Sequence, residues 1–97
     1  MKTNYELTIN NEAIKLNHFK SFNVKKLPAT DIKGERVKIT DTRLNKSKII
    51  SYSYRYHTIR DEAINYLNER GVEVSGFMWD DEKSIYHILT TDFEFEL

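Results

Sequence analysis

Carboxylates, histidines and basic side chains are the groups in this sequence that could do chemistry. Asp80, Asp81 and Glu82 stand side by side, and Asp92, Glu94 and Glu96 recur at every second residue. Adjacent carboxylates serve a divalent cation only when several converge on one ion, and the calcium-loop spacing that achieves this is missing. The first trio therefore reads as a solvated turn. His18, His57 and His87 lie far apart, form no i, i+4 pair, and have no cysteine to complete a zinc set. His87, between Ile85 and Leu89 on an alternating face, reads as a half-buried histidine satisfied by its surroundings. The three glycines do not cluster into a phosphate cradle, and no serine or threonine stands in a nucleophile elbow. No catalytic residue, metal or cofactor is assigned on these grounds, and the chain reads as non-enzymatic.

The charges are divided along the chain. Residues 1–60 hold thirteen Lys and Arg against five Asp and Glu, and residues 61–97 hold two against ten. The halves carry +8 and −8, which cancel in the formal total of zero. If the fold interleaves the halves, the signs mix into an ordinary soluble surface. If it keeps them apart, an acidic face can dock on a basic protein groove and a basic face can meet phosphates.

Elements must position these groups. Tyr5, Leu7 and Ile9 alternate with polar residues, Asn10-Asn11 suits a hairpin turn, and alternation resumes at Ile14 and runs through Val24. Residues 13–26 thus read as one long or broken strand, stopped by Pro28. Residues 27–35 read as a loop, and 36–56 as a hairpin whose clearest strand carries Ile50, Tyr52, Tyr54 and Tyr56 on one face. A helix is expected over about 58–70, with Thr58 as cap, Asp61 and Glu62 in the first turn, and Gly71 as the left-handed stop. Two more strands follow, with a bulge allowed at Gly76. The expectation is α+β: an antiparallel sheet of about six strands in β-β-β-β-α-β-β order, with one helix on one face.

Length and composition bound the function. Ninety-seven residues with 39% apolar and 12% aromatic side chains make one domain with a modest core and little room for an enclosed cavity. The absence of cysteine favours a reducing compartment, no apolar run approaches membrane-spanning length, and the start has no apolar leader. A cytoplasmic location is the expectation.

Size, heavy use of Lys, Ile and Asn, and the acidic third from Asp80 to Glu96 together resemble the small accessory proteins of phages and mobile elements in AT-rich bacteria. Anti-defence inhibitors, anti-CRISPR proteins among them, belong to that group. The resemblance implies an inhibitor docked on a host nucleic-acid-handling protein with a basic groove. The candidate protein-binding set is Asp80, Asp81, Glu82, Glu94 and Glu96, with Trp79 as an aromatic anchor. The alternative is a small DNA- or RNA-binding domain using Arg43, Lys46, Lys48, Arg55 and Arg60.

Overall fold

Asn10 and Asn11 both take left-handed backbone angles, φ 52° and 65°, and turn the chain between β1 (Asn4–Ile9) and β2 (Glu12–Asn17). Two consecutive positive φ values make the hairpin turn whose twist matches paired strands, and Asn tolerates them best after Gly. The computed structural model describes residues 4–56 and 58–97. Met1, Lys2 and Thr3, part of the start read above, and His57 lie outside the described residues.

The alternation does not carry through to Val24 as one strand. It breaks at His18-Phe19, and the chain re-enters as β3 (Lys20–Leu27) in a different sheet. β4 (Arg36–Asp41) and β5 (Lys46–Ser51) form the next hairpin around Asn45, whose φ is 55°. The helix α1 (Ile59–Glu69) follows, then β6 (Val74–Asp80) and β7 (Ile85–Thr90). The class is α+β as expected, but the single six-strand sheet is not formed. β1 and β2 pair only with each other, and the remaining strands form a five-stranded antiparallel sheet in the order β5-β4-β3-β7-β6.

Neither strand of the first hairpin packs against any other element described. It stands out as an arm, which explains dimensions of 60 × 29 × 24 Å. Leu7, Ile9 and Leu16 on it are nearly half exposed. Excising residues 4–17 is therefore expected to leave the thermal melt of the remainder, followed by circular dichroism, unchanged. A clear drop would mean that the arm packs on the body in solution.

The helix begins as its residues dictate. Thr58 is extended and its Oγ1 accepts the Asp61 N–H at 3.2 Å, with Asp61 and Glu62 in the first turn. Gly71 at φ 85° ends it, while the Gly71 and Val72 N–H groups close on the carbonyls of Asn68 and Leu67. Ala63 and Leu67 face the sheet and meet Phe22, Val24, Val37, Ile39 and Ile88 in the core. Register places Lys20, Phe22 and Val24 of β3 on the helix side, with Ser21, Asn23 and Lys25 on the other.

The tyrosine-rich strand is shorter than its alternation suggests. β5 ends at Ser51, and Tyr54 has φ 60°. The buried Glu62 carboxylate accepts the Ser53 N–H at 2.6 Å and the Ser53 hydroxyl at 3.1 Å, which draws this segment onto the helix. Residues 91–97 form no strand either.

Candidate functional site

β6 is an outer edge of the sheet, and one side of its backbone pairs with no other strand among the described residues. Proteins guard such edges with charge, proline or distortion, because an open apolar edge recruits other strands. The opposite edge, β5, carries Lys46 and Lys48. β6 carries no charge from Val74 to Trp79, and its register shift lies at its start, between Val74 and Gly76, where the sequence allows a bulge. Beyond that point Phe77, Met78 and Trp79 are each about half exposed, at 50%, 53% and 46%. Three consecutive apolar residues put apolar groups on both faces of an edge strand, which a half-buried strand does not need.

Phe77 and Trp79 lie on the helix side, opposite Ile88 and Tyr86. The Trp79 and Tyr86 rings are 4.7 Å apart at a tilt of 56°. Arg60 reaches across from α1 with its guanidinium carbon 4.3 Å from the centre of the Phe77 ring, and is itself held by Asp61 at 3.0 Å. Beside Trp79 opens a groove of about 380 Å³, walled by Lys26, Tyr52, Ile59, Ser84 and Tyr86. It is large enough for one apolar or aromatic side chain of a partner.

The β6–β7 turn adds the charge. Asp80 is committed to the turn: its Oδ1 accepts the Lys83 N–H at 3.1 Å, and its Oδ2 lies 3.3 Å from His87 Nε2. The backbone hydrogen bond from Lys83, then the side-chain hydrogen bond with His87, hold its carboxyl below the usual carboxylate range. Asp81 accepts the Trp79 indole N–H and so steadies that ring. Glu82 is exposed at the tip.

Trp79, Asp80, Asp81 and Glu82 are thus brought together, and Glu94 and Glu96 are not among them. β7 carries the chain from Ile85 beside that turn to Thr90 opposite Lys20, at the other end of the sheet. The tail then runs to the β4–β5 turn, where Glu96 lies 3.6 Å from Lys46 and Phe93 meets Arg43. One continuous carboxylate surface from both segments does not form.

The alternative basic set is also divided. Arg43, Lys46 and Lys48 belong to the β4–β5 hairpin, and Lys46 is opposed by Glu96. Arg55 is exposed in the loop before α1, beside Tyr66 and Glu69. Arg60 lies over Phe77 near the opposite edge. Phe77, Met78 and Tyr86 were not singled out as site residues from sequence, and Arg60 only as one of the basic set, although the run Phe77-Met78-Trp79 is a visible signal.

Among the described residues no three His, Cys, Asp or Glu side chains gather as a metal set, and no helix is long and apolar enough to cross a membrane. Comparison of the chain with family models, curated proteins and solved structures gives no match.

Proposed function

We propose that the chain is a non-enzymatic protein-binding module that takes a basic segment of its partner along β6. The observation that carries this is the uncharged, half-exposed edge Phe77-Met78-Trp79, lying between an open groove and the acidic turn. A partner strand would pair with the free backbone, and a side chain would enter the groove against Trp79 and Tyr86. Asp81 and Glu82 would meet Lys or Arg of the partner and speed its approach. A basic partner surface is common in proteins that handle nucleic acid. Together with the resemblance to phage accessory proteins, this makes an inhibitor of a host nucleic-acid-handling protein the reading we favour. Glu94 and Glu96 have no part in it.

Capture from lysate of a low-GC bacterium, with mass spectrometry of the retained proteins, tests the proposal. Trp79→Ala is expected to weaken a genuine partner by about 30-fold or more, as for a central aromatic anchor worth ~2 kcal/mol. Asp81→Lys with Glu82→Lys should slow association and flatten its salt dependence, with the fold unchanged by circular dichroism. Equal retention of the partner by wild type and both variants would rule out the β6 site.

A further inference from the structure

The five-stranded sheet has a second face, turned away from α1. Strand register places Ser21, Asn23 and Lys25 of β3 on it, beside Arg36, Lys38 and Thr40 of β4, and His87 of β7. No described element packs on this face: the helix, Phe95 and Leu97 all join the core on the other side, and the strands of the arm meet no other described element.

Its charges are arranged at a cost. Lys25 and Lys38 are direct cross-strand partners, and like charges so placed repel and destabilise the pairing. On the helix side, Lys20, Lys26 and Lys46 each meet a carboxylate, of Asp41, Glu35 and Glu96. Among the described residues Lys25, Lys38 and Arg36 form no ion pair. Asp80, opposite Ile85 at the far strand, is the one carboxylate that register places on this face, and it is engaged by His87. Two buried polar atoms here also lack a partner, Arg36 Nε and Asn23 Oδ1. Both atoms are shielded from solvent, so the cations beside them are what a ligand on this face would meet.

We propose that this face binds single-stranded nucleic acid, with Lys25, Lys38 and Arg36 on successive phosphates and with Asn23 and Thr40 reaching sugar or base edges. The chemistry selects the ligand. Three unopposed cations ask for a repeating anion, and Arg36 and Lys38, two residues apart on one strand, are spaced by ~6.7 Å, close to the step between phosphates of an extended strand. An open sheet face accepts splayed bases, and among the described strand residues His87 is the one ring that register places on it. Binding is accordingly led by the backbone and tolerant of sequence. The proposal is independent of the β6 edge.

Fluorescence anisotropy with a labelled oligothymidylate of about 12 nucleotides, within the ~4–16 that small sheet domains cover, provides the test. Three phosphate contacts should give a slope of log affinity against log salt of about −2, at ~0.7 per contact. Lys25→Gln with Lys38→Gln should reduce the slope to about −0.7 and the affinity at least about tenfold, while the melting temperature rises because the repulsion is gone. Lys46→Gln with Lys48→Gln, on the other face, and Trp79→Ala should bind as wild type does. No binding at low salt, a slope unchanged in the Lys25/Lys38 variant, or equal competition by duplex DNA would each overturn the proposal.

Discussion

Lys20→Met is expected to lower the melting temperature by more than about 12 °C, taking ~4 °C per kcal/mol for a chain of this size. Lys20 and Asp41 are the one ion pair among the described residues whose two side chains are both fully shielded from water, with Nζ and Oδ2 2.9 Å apart. The ammonium also donates to the Phe95 carbonyl at 2.5 Å and lies 5.2 Å from the centre of the Phe22 ring. Asp41 Oδ1 accepts the N–H groups of Arg43 and Leu44, which fixes the β4–β5 turn. Removing the lysine leaves a buried carboxylate without its counter-charge. That costs about 3–5 kcal/mol, a large share of the ~5–15 kcal/mol that holds a domain together. Lys20→Met with Asp41→Leu removes both charges and should recover most of the loss. The same pair sets the acid limit. Burial pushes the Asp41 carboxyl up, but the Lys20 hydrogen bond, the Leu44 and Arg43 N–H groups and the Lys20 charge outweigh burial, so it lies below its ordinary value of 3.8. A carboxyl lowered by folding stabilises the native state above its unfolded value, and the contribution disappears as pH falls below about 4. Urea melts between pH 7 and 2 should show that decline in wild type and a smaller one in the double variant. A Lys20→Met melt matching wild type would contradict the whole account.

What the sequence discloses here is local backbone chemistry. Asn10-Asn11, Thr58 and Gly71 each occupy the conformation or cap that their residue type favours, so the first turn and the helix were legible without tertiary knowledge. The errors come from side chains that reach elsewhere in the chain. His18 keeps the period of two, but apolar Phe19 and charged Lys20 stand out of phase with it, a local mark of the break. It is made where Lys20 enters the core to meet Asp41, twenty-one residues on. Tyr52 to Tyr56 keeps a strand pattern, but Glu62, nine residues beyond Ser53, takes the Ser53 N–H. The functional residues divide in the same way. Trp79 to Glu82 share one turn, so their proximity was visible. Whether Glu96 joins them depends on which end of the sheet β7 delivers the chain to. The pairing of Lys25 with Lys38 depends on a register set across the loop at 28–35. Alternation reveals which face a residue takes; it does not reveal its neighbours on the adjacent strand.

Phe95→Ala should cost about 2–4 kcal/mol, somewhat below the ~3–5 kcal/mol for a wholly enclosed ring because Phe95 is only half-buried. The alternation of acid and ring in residues 92–96 suggested that the carboxylates were the active part of the tail, and the contacts reverse that emphasis. Phe95 meets Phe22 edge-on at 6.2 Å, Leu97 packs on the same core, and Phe93 lies 5.1 Å from His18. Asp92 serves the backbone, accepting the Phe95 N–H at 3.2 Å. Glu94 is exposed, and Glu96 makes only a surface ion pair with Lys46, a kind worth about 0–1 kcal/mol. Glu94→Gln and Glu96→Gln should therefore shift stability by less than about 0.5 kcal/mol and 1 kcal/mol. Because the Phe95 carbonyl accepts from Lys20, and its ring packs on the Phe22 ring that the ammonium also faces, the loss of that ring should not add to that of Lys20→Met. A double-mutant cycle in urea should show coupling of about 0.5–3 kcal/mol. If the glutamate variants melted earlier than Phe95→Ala, the tail would be held by charge, and the core would close without it.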